Sequence, residues 1–134
     1  MASIRREVSV AVSAEGAWDA VRDVGALHTR LVKGFVTDCR LEGDARIVTF
    51  ANGMQARELI VDLDETQRRL VWSAVGGRLS HHNASVQVFA EGPQRCRLVW
   101  IADLLPDTLA PRFDAMMQQG TDLMQRTLRD AAAG

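Results

Sequence analysis

Residues 54–64, MQARELIVDLD, and residues 82–90, HNASVQVFA, decide the fold. Successive side chains of a strand point to opposite faces of its sheet. In the second stretch Ala84, Val86 and Val88 share a face with His82, and Asn83, Ser85 and Gln87 take the other. In the first, Met54, Ala56 and Ile60 share a face with Glu58. Apolar faces backed by polar ones mark antiparallel strands with one side on a core and the other in water. Glu58 and His82 break that pattern. A carboxylate and an imidazole pointing inward cost free energy unless something pairs with them. Either they satisfy each other and nearby water, or the interior is a wet pocket that holds a ligand.

Working outward, strand patterns cover Phe35–Leu41, Arg46–Ala51, Met54–Leu63, Leu70–Val75, His82–Ala90 and Arg97–Asp103. Gly43-Asp44, Asn52-Gly53, Gly76-Gly77 and Gly92-Pro93 punctuate them, and Asn52-Gly53 is a tight-hairpin signal. Upstream, Val8, Val10 and Val12 alternate with Glu7, Ser9 and Ala11 as a first strand. Ser13 caps a helix carrying Trp18, Val21 and Val24 at helical spacing, and Gly25 breaks it. A second short helical piece runs from Leu27 to Lys33 and ends at Gly34. Downstream, one long helix is predicted from about Thr108 to Ala131, with an apolar stripe of Leu109, Phe113, Met116, Leu123, Met124 and Leu128. Such a helix is roughly 36 Å long, enough to cross a small domain. Seven strands and this helix predict an α+β fold, in which a curved antiparallel sheet wraps the helix and two short helices separate the first two strands. Gly120 sits on the helix stripe between Met116 and Met124. Glycine there costs about 1 kcal/mol relative to alanine, so space is wanted, either for close packing or for a ligand.

A chain of 134 residues is expected to form one domain, residues 1–134, with its own core. A net charge of −1 gives no general pull toward nucleic acid, and no apolar run approaches the length of a membrane span. Met1 to Arg6 lack the apolar core of a signal peptide, so the expected compartment is the cytoplasm, with Cys39 and Cys96 as free thiols. Neither cysteine carries a nucleophile's local signature, although a Cys39–His82 pairing across strands stays open. His81 and His82 face opposite sides of one strand and cannot chelate one ion, so neither a metal nor another cofactor is expected. No phosphate-cradling loop and no nucleophile elbow occurs.

Several short motifs then fall in a telling order. An early strand precedes Ser13…Trp18; Glu58 precedes Asp64 and Arg69-Leu70; Gly76-Gly77-Arg78-Leu79 precedes His82; Leu98-Val99-Trp100 precedes Pro106; a long helix closes the chain. This series resembles the START-like, Bet v 1-type superfamily, in its polyketide cyclase/dehydrase or lipid-transport branch. The resemblance implies a helix-grip fold with an apolar cavity between sheet and helix. It also implies capture of lipids, hormones, polyketides or aromatic compounds, with catalysis in only some members. The middle of the chain is similar to plant abscisic-acid receptors. Glu58, His82 and Arg46 fall where those receptors place a cavity glutamate, a cavity tyrosine and an arginine on a neighbouring strand. Thr37 replaces their hormone-anchoring lysine, Asn52-Gly53-Met54-Gln55 replaces the gate loop, and the latch keeps Gly76-Gly77-Arg78-Leu79 without its histidine. Hormone sensing with a phosphatase partner is therefore not implied; a pocket of the same construction is.

The expected function is reversible binding of a small hydrophobic or aromatic molecule. Val48, Phe50, Ile60, Trp72, Val86, Trp100, Met116, Gly120 and Met124 would form the walls. Glu58, His82 and Arg46 would orient the ligand's polar groups, and the loops after Phe50 and Val75 would form the mouth. Each polar residue has a plainer reading as well. Glu58 is either a general base or a carboxylate paired with Arg46 or His82. Arg46 either receives a carboxylate or phenolate, or snorkels to the rim. The tryptophans and methionines are core residues whether or not a ligand meets them. The alternative function is an enzyme of the cyclase or dehydratase type with Glu58 or His82 as acid/base. A further possibility is a homodimer packed through an exposed face of Leu59, Val61, Val99 and Ile101.

Overall fold

The alternating stretches pair into one antiparallel sheet in the computed structural model, which describes residues 2–133. Its strands are β1 (Ala2–Val10), β2 (Val36–Glu42), β3 (Ala45–Phe50), β4 (Gln55–Asp64), β5 (Arg69–Val75), β6 (His81–Gly92) and β7 (Arg95–Leu105). Their order across the sheet is β1-β7-β6-β5-β4-β3-β2. All links from β2 to β7 are hairpins, while β1 reaches the far edge and pairs with β7 from Ala2↔Leu104 to Val10↔Cys96. Irregular register between Val36 and Asp38, Ile60 and Asp62, and Ala90 and Gly92 bends the strands.

Between β1 and β2 lies helix α1 (Ala14–Arg22), followed by a 3-10 turn, Val24–Ala26, and a π-helical turn, Leu27–Leu31. Ser13 caps α1 by accepting a hydrogen bond from the Gly16 amide at 3.0 Å. Helix α2 (Ala110–Ala133) has 24 residues and follows a 3-10 turn at Asp107–Leu109. Arg6 on β1 ties it down through Asp114 at 2.6 Å and Gln118 at 2.7 Å. This is the helix-grip architecture: a curved seven-stranded sheet around a long C-terminal helix. Among the described residues no helix is long and apolar enough to cross a membrane.

The buried face of α2 differs from the predicted stripe. Met117, Gly120, Thr121, Met124, Thr127 and Leu128 are buried, whereas Phe113, Met116 and Leu123 are half-buried. The threonines account for the shift. Thr121 and Thr127 hydroxyls donate to the Met117 and Leu123 carbonyls at 2.6 and 2.7 Å, and Thr127 Oγ1 accepts from the Lys33 amide at 3.0 Å, so both are satisfied while buried.

The expected dimer face is not continuous. Val61 is 57% exposed, but Val99 is 4% exposed, and β5 and β6 separate β4 from β7. Val99 lies between Gln87 of β6 and Glu7 of β1, which flank it on the outer surface. The Cys39–His82 pairing is also excluded, because three strands separate β2 from β6 in the sheet. The Cys39 thiol instead donates to the Val24 carbonyl at 3.5 Å, and burial raises its pKa.

Candidate functional site

Residues 46, 48 and 50 of β3 point to the concave side, toward α2. Arg46 stands directly opposite Glu58 in the β3–β4 register, which brings their side chains together on that side. Arg46 Nε donates to Glu58 Oε1 at 2.8 Å. Arg46 Nη1 donates to the Val24 carbonyl at 3.3 Å, and the guanidinium carbon lies 5.4 Å from the centroid of the Trp72 ring. Exposure is 2% for Arg46 and 8% for Glu58. Arg46 is therefore no rim residue. Its chain is too far inside to snorkel, and both its charge and that of Glu58 are answered within the pair. Glu58 is partnered by Arg46 and not by His82.

His82 lies at the other side of the site, where β5 and β6 part. Their ladder runs only from Arg69↔Gln87 to Trp72↔Ala84. Beyond it the imidazole closes the gap: the Ala74 amide donates to Nδ1 at 2.9 Å. The ring then carries its proton on Nε2, the polar atom left for another partner. Desolvation, aided by His81 and opposed by Asp103, lowers the His82 pKa to about 4. The ring is neutral at physiological pH, too weak a base for proton abstraction near pH 7.

The same shift predicts an acid-labile fold. Between the ordinary value of 6.5 and about 4, the unfolded chain takes up a proton that the fold refuses. Stability from this group is thus complete above about pH 6.5 and declines as pH falls toward 4. Denaturant titrations at pH 7 and pH 4 should show the parent protein losing about 2 kcal/mol more than His82→Gln. Equal losses would mean that His82 is not held neutral.

Between these two polar points the sheet and α2 enclose a cavity of about 830 Å³. Arg46, Val48, Phe50, Glu58, Trp72, His82, Val86, Trp100, Met116 and Met124 all line it. Trp72 and Trp100 have ring centroids 6.3 Å apart with planes tilted by 46°. Trp100 Nε1 is buried without a hydrogen-bond partner among the described residues. Ala51, Asn52, Met54 and Gln55 form one side of the mouth, and Gly76, Gly77, Arg78 and Leu79 another. Gly76 and Gly77 have φ of 88° and 64°, backbone that strains any other residue.

Two expected wall residues do not line the cavity. Ile60 lies one inward step further along β4 than Glu58, away from the mouth, and packs against the core. Gly120 is occupied by packing: a Cβ there would meet Trp100 Cζ3 at 2.9 Å, Trp100 Cη2 at 3.1 Å and Phe35 Cε2 at 3.3 Å. Sequence reasoning also missed part of the wall. Leu27, Leu31, Val32 and Phe35 close one flank, and Met117 lies beside Met116. Their signal was present as apolar residues of the short helical segment, but irregular backbone has no period to read. Arg78 and Arg112, at the rim, were missed because exposed arginines are ordinary on any surface.

Comparison with known proteins fits this geometry. The family model described as polyketide cyclase / dehydrase and lipid transport matches residues 1–133. Among curated proteins none matches the sequence. Many solved structures share the fold. One is a Thermobifida fusca protein solved by NMR, 26% identical, with TM-score 0.79, covering 96% of this chain and 91% of that one. Another is a START superfamily protein from Mycobacterium smegmatis, 12% identical, with TM-score 0.75 and coverage of 96% and 95%. A third is norcoclaurine synthase from Thalictrum flavum in complex with dopamine and hydroxybenzaldehyde, 17% identical, with TM-score 0.73 and coverage of 98% and 86%.

Proposed function

The chain belongs to the polyketide cyclase / dehydrase and lipid transport family, and from that premise we propose that it reversibly binds a small hydrophobic or aromatic molecule in the cavity between sheet and α2. The carrying observation is the cavity itself. Its volume of about 830 Å³ suits one small ligand, and its wall is mostly apolar. Binding would be driven by apolar burial at roughly 25 cal/mol per Å². Trp72 offers an aromatic face, Met116 and Met124 supply adaptable walls, and His82 Nε2–H offers one hydrogen bond to a ligand carbonyl or hydroxyl.

Binding is favoured over acid–base catalysis by the state of the two candidate groups. Glu58 is engaged by Arg46, and His82 is neutral with Nδ1 occupied by the Ala74 amide. The buried thiols of Cys39 and Cys96 fit a reducing compartment, and we assign the protein to the cytoplasm.

Native mass spectrometry of protein purified from its own host, followed by denaturation and identification of released compounds, tests the reading. The expected result is a stoichiometric apolar compound recovered chemically intact, together with uptake of the neutral dye Nile red by the emptied protein. Recovery of a chemically altered compound, or failure to take up the dye, would count against a simple binder.

A further inference from the structure

The charged side chains around the cavity are sorted by depth. At depth there are Arg46 and Glu58, which cancel at 2.8 Å. At the mouth there are Arg78, in the glycine loop before β6, and Arg112, in the first turn of α2; both are exposed and both line the cavity. Neither makes an ion pair or a side-chain hydrogen bond with any described residue. Among the described residues Glu58 is the one carboxylate on the cavity wall, and Arg46 engages it. Asp114, near Arg112 on α2, is held by Arg6 at 2.6 Å. The start of α2 brings the positive end of its dipole to the same rim. The mouth thus carries two cations over a mostly apolar chamber whose own charges cancel.

We infer that the ligand is an amphiphile with an anionic head group, whose apolar body fills the cavity and whose carboxylate or phosphate stays at the mouth on Arg78 and Arg112. This rests on the binding reading above and names the ligand class for it. An anion placed deeper would meet a guanidinium whose charge Glu58 already cancels, and so would be buried without a countercharge, a state that costs several kcal/mol. At the mouth it meets two guanidinium groups that have five donors each and that no acid of the described residues pairs with. A neutral apolar molecule would fill the chamber equally well but would leave both arginines unused.

Displacement of Nile red by dodecanol, dodecanoate and dodecyl phosphate, each below its micelle concentration, tests the inference. The parent protein should bind at least one anion about tenfold more tightly than dodecanol in low salt. That preference should shrink at about 0.5 M salt, since exposed charges are screened. Arg78→Gln/Arg112→Gln should lose the preference, binding neither anion more tightly than it binds dodecanol. Whichever anion is preferred identifies the head group. Equal affinity of the parent protein for all three, a preference insensitive to salt, or a preference that survives the double substitution overturns the inference while the binding reading stands. If neither Nile red nor dodecanol enters the parent protein, the binding reading fails and the inference with it.

Discussion

Replacing Arg46 by methionine should lower the unfolding free energy by about 3–5 kcal/mol, while Arg46→Met/Glu58→Leu recovers most of that loss. The asymmetry follows from burial. Arg46 and Glu58 sit opposite one another on β3 and β4, 2.8 Å apart and nearly out of reach of solvent. Bringing two ions out of water is costly, and their attraction repays it only while both are present. Removing the arginine alone leaves an uncompensated buried carboxylate, takes the cation from the face of Trp72, and leaves the Val24 carbonyl with only the weak Cys39 thiol as donor. Removing both charges leaves an apolar patch in an apolar wall. Urea titration of the parent, the two single variants and the double variant gives the cycle. A double variant as unstable as Arg46→Met would show that the pair does more than cancel charge. The double variant should also still take up Nile red, because a ligand held by apolar contact does not need the pair.

What could be read from the sequence was what has a period. The alternation of Ala84, Val86 and Val88 with Asn83, Ser85 and Gln87 fixed the phase of β6, and the inward position of His82 followed from it. The same logic put Glu58 and Arg46 on the concave side, although which partner each would take was undecided until the β3–β4 register was known. Three features were not legible. The first strand begins at Ala2, ahead of its clear valine alternation, because the pairing of an edge strand is decided by a distant partner, here β7. The rotation of the α2 stripe brings in Thr121 and Thr127, whose hydroxyls bond back to their own helix and, for Thr127, accept from the distant Lys33 amide, which an apolar period does not register. The role of Gly120 depends on a tryptophan twenty residues earlier, whose approach no local pattern encodes.

That glycine gives the second large effect: Gly120→Leu should destabilise the protein by about 3 kcal/mol. Helix propensity alone predicts the opposite sign, a gain approaching 1 kcal/mol when glycine leaves a helix interior. The sign therefore separates packing from open space. A Cβ at this position already stands 2.9 Å from Trp100 Cζ3 and 3.3 Å from Phe35 Cε2, and a leucine adds three more carbons in the same place. Trp100 is held by Trp72, whose ring lies 6.3 Å away, and Phe35 is itself stacked edge-on to Phe50 at 5.5 Å, so the indole yields only toward the cavity it lines, breaking these contacts as it moves. Closely packed interiors pass such strain to their neighbours without absorbing it. Thermal and urea denaturation measure the loss. In a Trp100→Leu background the same glycine substitution should cost little, because the ring that fills the space is gone. If Gly120→Leu instead stabilises the protein and weakens Nile red uptake, the glycine borders the cavity, and the close approach of Trp100 to α2 is not what fixes it.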